Sequence, residues 1–203
     1  MKIRKAKIKQ LLKLNLLRSK VYEQPIKKLK FDNLIDSALN QIIVDIKKVL
    51  QIIFKYNQIK KRILFVGLPY KLELKINQYT RHVAIPKDFE VQGMISNCTR
   101  KSLKNPNQIC LKDTSKFLFP KLTKRLDLIV LLEHDRSKTI FSESEAAKIP
   151  LISFGTSFNI LGTAFYKIEG NFKDVLSASN KNIFFIGLNF LFKNSREQNP
   201  KHF

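Results

Sequence analysis

The sequence predicts an α/β fold in which a parallel sheet carries helices on both faces. Continuous apolar runs at residues 62–68 and 126–132 are typical of strands that are buried on both sides. Segments with an apolar residue at every third or fourth position alternate with these runs. Because such alternation connects parallel neighbours through helices, it indicates one parallel sheet. A chain of 203 residues is long enough to bury the core of one such domain.

The residues before the first strand are predicted to be mainly helical. Apolar residues near helical spacing, with lysines between them, predict a basic amphipathic helix over 3–17. Residues 19–30 contain Pro25 and are expected to be irregular. The strongest helical pattern covers 33–57. Asp32 is its candidate N-cap, because a short carboxylate can accept a hydrogen bond from a free backbone N–H.

The rest of the domain is predicted to alternate strands with helices. A helix over 70–80 follows the first strand, and a short strand over 82–85 follows that helix. The strand at 126–132 leads into a helix over 138–148, with Ser137 as its candidate cap. The remaining predicted elements are strands over 150–154 and 165–168 and a C-terminal helix over 183–192.

The charge of the chain is concentrated in two segments. It has 38 Lys and Arg against 16 Asp and Glu, a formal charge of +22. Residues 1–30, predicted to be a basic extension, have a net charge of +10, and the connecting arm over 98–125 has +7. Residues 126–192, which complete the α/β domain of 31–192, have −1. Segregated positive charge of this kind is typical of a surface that binds a polyanion. Residues 193–203 are predicted to be a tail.

Motifs for nucleotide chemistry are missing from the sequence. A phosphate-binding loop needs several glycines, yet neither GxGxxG nor GxxxxGK[ST] occurs, and residues 67–69 indicate a simple turn. Glu133, His134 and Asp135 follow a predicted strand, where α/β enzymes place active residues, but no further ligand or base supports them. We therefore assign no catalytic residue, no metal ligand and no cofactor. An RNA-processing or nucleotide-dependent enzyme remains the alternative.

The cysteines and apolar segments do not indicate a disulfide-bonded, zinc-binding or membrane-spanning protein. Cys98 and Cys110 are separated by eleven residues and are expected to be free thiols. No segment reaches the roughly 18–20 apolar residues that a membrane-spanning helix needs. Peripheral membrane binding by residues 1–20 remains a second alternative, since a basic helix with apolar residues can bind an anionic bilayer.

Clusters of lysine and arginine are the evidence for RNA binding, because such residues neutralise phosphates and release counterions. The clusters lie in the N-terminal extension and at both ends of the arm. The candidate RNA-binding residues are Lys2, Arg4, Lys5, Lys7, Lys9, Lys13, Arg18, Lys20, Lys27, Lys28, Lys30, Asn97, Arg100, Lys101, Lys104, Lys121, Lys124 and Arg125.

Four stretches occur in an order that resembles one known family. They are the helix that runs into Lys61-Arg-Ile-Leu-Phe-Val-Gly67; Gln92-Gly-Met-Ile-Ser-Asn97; Leu126-Asp-Leu-Ile-Val-Leu-Leu132 with Glu145-Ala-Ala-Lys-Ile-Pro-Leu-Ile-Ser153; and Tyr166-Lys-Ile-Glu-Gly-Asn171. In order and approximate spacing this set resembles the universal small-subunit ribosomal protein "S-two" family. The resemblance covers most of residues 30–192.

Several family features are absent or altered. An early H-F-G-H motif would fall near residues 17–20 and is missing, and Glu90 stands where the family has a tryptophan. The family's long helical hairpin is reduced to residues 98–125, and residues 172–179 look like an insertion. Such divergence favours a mitochondrial ribosome over a bacterial one.

The resemblance implies a flavodoxin-like parallel sheet with helices on both faces, a basic N-terminal helix and a shortened arm in place of the hairpin. It implies a structural constituent of the small ribosomal subunit, with rRNA and other small-subunit proteins as partners and the candidate residues above as rRNA contacts. It implies no enzymatic activity, no cofactor, no small-molecule substrate, no membrane and no homo-oligomer. The expected location is the mitochondrial ribosome in the matrix, with a plastid-type organelle ribosome as the alternative.

Overall fold

The computed structural model describes residues 2–18, 32–86, 93, 95, 125–132, 137–155, 166–168 and 182–197. Contacts divide the chain into two compact units. The first unit consists of Met1–Phe54, Phe154–Thr156 and Ile168–Phe203, and the second of Lys55–Ser153 and Ser157–Lys167.

Five helices and five strands have defined bounds within the described residues. The helices are α1 (Lys2–Arg18), α2 (Asp32–Gln58), α3 (Tyr70–Tyr79), α4 (Ser137–Ala146) and α5 (Ile183–Glu197). The strands are β1 (Ile63–Val66), β2 (Val83–Ile85), β3 (Leu128–Leu131), β4 (Leu151–Phe154) and β5 (Tyr166–Ile168).

The strands form one parallel sheet in the order β2-β1-β3-β4-β5, which is the flavodoxin-like order. This confirms the predicted α/β class. The chain crosses the sheet in one direction from β1 to β2 and in the opposite direction from β3 to β4, because β2 and β3 flank β1 on its two sides. Crossovers between parallel strands are right-handed, so α3 and α4 belong to opposite faces.

The second unit has a core on the face that α4 covers. Alternate residues of β1, Leu64 and Val66, belong to the same buried cluster as Ile129 and Leu131 of β3. Ile140 of α4 joins this cluster, and strands β2 and β4 contribute residues to it as well. Every residue of β1 and β3 is buried, as the continuous apolar runs predict for central parallel strands.

The first unit contains helices and the last residues of β4 and β5. Five residues of α2 are buried at three- or four-residue spacing, and α1 contacts α5. The ring centroids of Phe154 and Phe184 are 4.6 Å apart. A β-carbon added at Gly187 of α5 would lie 2.6 Å from Cδ1 of Leu50, so glycine allows α5 to approach α2 closely.

The predicted elements are present, with shifted ends. The C-terminal helix continues to Glu197 and therefore enters the region predicted to be a tail. Its last turns are polar and contain no glycine or proline, so the apolar pattern ends before the helix does. Residues 19–30, residues 98–124 of the arm, and the side chains of the predicted caps Asp32 and Ser137 lie outside the described residues.

Candidate nucleic-acid interface

Helix α1 carries seven of the predicted RNA-binding residues. Among those whose side chains are described, Lys7 and Lys9 are exposed and Lys13 is partly buried. Leu16 is buried, whereas Ile8, Leu11 and Leu14 are each more than half exposed. The apolar residues of α1 whose side chains are described therefore do not lie together on one buried face, and the exposed surface of this part combines lysines with apolar side chains.

Of the other predicted site residues, the structure describes one. Arg125 is exposed and lies three residues before β3. The following lie outside the described residues: Lys20, Lys27, Lys28, Lys30, Asn97, Arg100, Lys101, Lys104, Lys121 and Lys124.

The amino-terminal ends of four neighbouring strands bring together cations that are far apart in the sequence. Arg62 directly precedes β1, and Arg81 lies two residues before β2. Arg125 and Lys148 each lie three residues before a strand, β3 and β4 respectively. Because β1 to β4 are parallel and adjacent, all four residues lie along the same edge of the sheet.

Hydrogen bonds fix the register of this edge. The carbonyl oxygen of Arg62 accepts from the backbone N–H of Asp127 at 3.0 Å, and the Asp127 carboxylate accepts from the backbone N–H of Arg62 at 2.9 Å. One strand further along, the carbonyl oxygen of Pro150 accepts from the backbone N–H of Ile129 at 3.0 Å. Neighbouring strands lie about 4.8 Å apart, so the four strand ends span about 14 Å.

The edge is strongly positive. The connections that enter these strands, residues 59–62, 80–82, 125–127 and 147–150, contain six cations and one carboxylate, that of Asp127. Four of the cations are exposed, and the two arginines at positions 62 and 81 are partly exposed. We call these six residues the amino-edge cations: Lys60, Lys61, Arg62, Arg81, Arg125 and Lys148. Of these six, only Arg125 is among the residues that the sequence predicts to bind RNA, although each of the six lies within three residues of a strand.

The opposite, carboxyl edge of the sheet lacks a phosphate cradle after β1. Gly67 has φ +81° and its N–H donates to the carbonyl oxygen of Ile85 at 3.0 Å. Leu68 and Pro69 are buried, and α3 begins immediately afterwards. A single glycine whose N–H is already bonded cannot offer the several free N–H groups that bind a phosphate.

Glu73 lies in the first turn of α3, at this carboxyl edge. Its side chain is only 8% exposed, and burial raises its pKa from 4.5 to about 7. Sequence reasoning missed this residue, although the surrounding pattern provides a signal. Glu73 lies between Leu72 and Ile76, which are buried on the same helix. A carboxyl group beside such a helical stripe is expected to be at least partly removed from water.

His82 supports the sheet and is buried. Its Nδ1 accepts a hydrogen bond from the backbone N–H of Ile63 at 3.2 Å, so the ring proton is on Nε2 and points to Oδ1 of Asn57, 3.1 Å away. The ring packs edge-on against Phe65, with centroids 6.3 Å apart. These contacts give His82 a structural role in the sheet.

Glu143 of α4 was also missed by sequence reasoning. Its carboxylate accepts hydrogen bonds from the backbone N–H groups of Gly93 and Ile95, the latter at 2.9 Å. It thereby attaches α4 to the stretch that resembles the second family motif.

Residues 133–135, considered as an acid/base or metal site, lie outside the described residues. Within the described ranges, no three His, Cys, Asp or Glu residues are grouped to hold a metal ion.

Comparison with known proteins assigns no family to this arrangement: no family model matches the chain, and no curated protein matches it either. Among the helices that the structure describes, none has the length and apolar character to cross a membrane.

Proposed function

We propose that this chain is an RNA-binding structural protein of a small ribosomal subunit. The observation that carries the proposal is the segregation of charge, with net +10 in residues 1–30 and +7 in 98–125, against −1 in 126–192. On α1, the exposed Lys7 and Lys9 are available to phosphates. Several such contacts supply most of the sequence-independent affinity for a nucleic acid.

The fold supports the family that the sequence resembles. Three of the four stretches that carry the resemblance to the "S-two" family contain β1, β3 with β4, and β5, and these strands lie in one flavodoxin-like sheet. We propose membership of that family, with small-subunit rRNA and neighbouring ribosomal proteins as partners. The missing motifs favour a mitochondrial ribosome, and a plastid-type organelle ribosome is the alternative.

Sedimentation tests the proposal. Tagged full-length protein in organelle extract is expected to travel with the small ribosomal subunit at low salt and to be released as salt is raised, because phosphate contacts are screened. The Lys7→Gln, Lys9→Gln double variant is expected to be released at lower salt. Lys71→Gln, Lys138→Gln removes the same charge from exposed side chains in the first turns of α3 and α4, and serves as the matched control. Wild-type protein that stays free of ribosomes at low salt contradicts the proposal.

An RNA-processing or nucleotide-dependent enzyme is the second candidate, and Glu73 is the observation that favours it. A buried carboxyl group with a pKa of about 7 can act as a general acid or base, and it follows β1 at the edge where open parallel sheets bind ligands. Turnover of RNA or of a nucleoside triphosphate by wild-type protein, lost in Glu73→Gln, would establish this function. Equal and negligible turnover by both proteins would exclude this role for Glu73.

A further inference from the structure

We propose that the amino-edge cations bind the phosphodiester backbone of RNA. The inference rests on the proposed function. It adds a third RNA-binding surface, on the α/β domain, to the two already proposed on α1 and the arm. Five of the six residues belong to neither of the segments predicted to bind RNA. Their shared position depends on the order and register of β1 to β4. Hydrogen bonds between Arg62 and Asp127 and between Ile129 and Pro150 fix the ends of β1, β3 and β4 relative to one another.

Backbone conformation at the end of α2 provides a second, independent observation. Lys60 has φ +60°, in the left-handed region where a β-carbon is disfavoured. The N–H of Lys61 donates to the carbonyl oxygen of Tyr56 at 3.0 Å, and the N–H of Lys60 donates to that of Asn57 at 3.1 Å. These two bonds define a Schellman motif, whose left-handed position is usually occupied by glycine.

Helix α4 ends in the same way. Lys148 has φ +53°. The N–H of Ile149 donates to the carbonyl oxygen of Ser144 at 2.9 Å, and the N–H of Lys148 donates to that of Glu145 at 3.0 Å. Both helices therefore carry a lysine at the position that favours glycine, and both lysines are exposed at the amino edge. Glycine would fit the backbone at both positions without this strain, so the retained lysines suggest a role for their side chains beyond the helix cap.

Helix dipoles offer a structural explanation for cations at this edge, since the carboxyl ends of helices attract positive charge. The helix dipole explains a lysine in the last helical turn, such as Lys55 of α2. It does not require lysine at the left-handed position, where glycine would remove the strain. It also does not explain Arg125, which follows no described helix. Recognition of an extended polyanion accounts for all of these positions together.

Spacing along the edge fits a chain of phosphates better than a single small anion. Arg81, Arg62, Arg125 and Lys148 precede four adjacent strands, which span about 14 Å. The backbone positions of the four residues are distributed along this line. The one carboxylate in these connections, Asp127, is engaged by the backbone N–H of Arg62. A phosphodiester backbone laid along the edge can therefore contact several cations at once.

Binding of a fluorescein-labelled RNA duplex to the full-length protein, measured over a range of KCl concentrations, tests the proposal. The informative variant is Lys60→Gly, Lys148→Gly, because it removes two cations and relieves two strained positions. We expect its salt slope to fall by roughly 1.4–1.8, at roughly 0.7–0.9 per lost phosphate contact. We expect its melting temperature to rise by roughly 2–4 °C or more. A loss of RNA contacts together with a gain in stability cannot be attributed to damage to the fold.

Two further variants complete the experiment. Arg81→Gln, Arg125→Gln is expected to lower the salt slope by a similar amount without relieving strain. Lys71→Gln, Lys138→Gln removes two exposed cations near the carboxyl edge and is expected to leave the slope unchanged. An unchanged slope in both amino-edge variants overturns the inference, and so does an equal loss in the control, because charge alone would then account for binding.

The outcomes separate this inference from the proposed function. If Lys7→Gln, Lys9→Gln lowers the salt slope and the amino-edge variants do not, RNA binding stands and the amino edge is excluded. If wild-type protein binds no RNA, both proposals fail. Vesicles of phosphatidylserine and phosphatidylcholine are included as a second probe. Loss of vesicle binding without loss of RNA binding in the amino-edge variants would assign the surface to a membrane and overturn the inference.

Discussion

Glu73→Gln is the substitution with the clearest expected dependence on pH. The carboxyl group lies in the first turn of α3, is 8% exposed, and has a pKa raised by burial from 4.5 to about 7. Because the charged form is the one that burial disfavours, the native protein holds a proton that the unfolded chain releases at a lower pH. Glutamine resembles the protonated form in shape and cannot ionise.

The magnitude follows from the shift in pKa. A rise from 4.5 to about 7 corresponds to about 3 kcal/mol, at about 1.4 kcal/mol per unit. We expect about 2 kcal/mol, because solvent reaches part of the side chain and screens its charge. The stability associated with the protonated carboxyl is complete below pH 4.5, falls as the pH rises towards 7, and is lost above about 7. Glu73→Gln should therefore be more stable than wild type at pH 8, by about 2 kcal/mol, and nearly equal to it at pH 4.5.

Urea unfolding of both proteins at pH 4.5 and pH 8 measures this difference. Glu145→Gln, which removes an exposed carboxylate from α4, is the control and should change the free energy of unfolding by no more than about 0.5 kcal/mol at either pH. A stabilisation by Glu73→Gln that is the same at both pH values would refute the reasoning, because ionisation would then have no part in it. A destabilisation at pH 8 would show that the ionised carboxylate has a partner in the native state.

Two further substitutions test how the sheet is supported. His82→Phe removes the imidazole that bonds the backbone N–H of Ile63 and Oδ1 of Asn57. We expect the free energy of unfolding, measured with urea, to fall by about 2–3 kcal/mol. A change below about 0.5 kcal/mol would contradict the hydrogen bonds assigned to the ring. Glu143→Gln replaces a carboxylate that accepts two backbone N–H groups, and we expect a loss of about 1–3 kcal/mol; an effect as small as that of Glu145→Gln would show that this attachment of α4 is weak.

Patterns of apolar residues were sufficient to predict the sheet. β1 and β3 are buried along their whole length, so their sequences are continuously apolar and easily recognised. The helical pattern of α2 is equally clear, because one face of the helix is buried and the other is exposed. Prediction of the C-terminal helix stopped at residue 192, five residues early, because its polar final turns leave no periodic signal.

Interactions between distant residues could not be read from the sequence. The contact of Glu143 with Gly93 and Ile95 joins residues about fifty positions apart, and no local pattern marks an exposed-looking glutamate as a backbone acceptor. The amino-edge cations are visible in the sequence, but their alignment requires the strand order. The helix ends at Lys60 and Lys148 contradict the usual glycine signal, so only backbone geometry identifies them.

The two edges of a parallel α/β sheet differ electrostatically before any side chain is added. Helices that follow strands begin at the carboxyl edge, where their free N–H groups favour small anions, and they end at the amino edge, where their carbonyl groups favour cations. Lysines and arginines placed at the amino edge are therefore stabilised by helix ends and stay exposed to water, so they cost little to maintain. An α/β body that binds an extended polyanion should acquire its cations at this edge. Attraction to helix ends does not require lysine at the left-handed positions of Lys60 and Lys148, and this is the observation on which the proposed RNA contacts of these two residues rest.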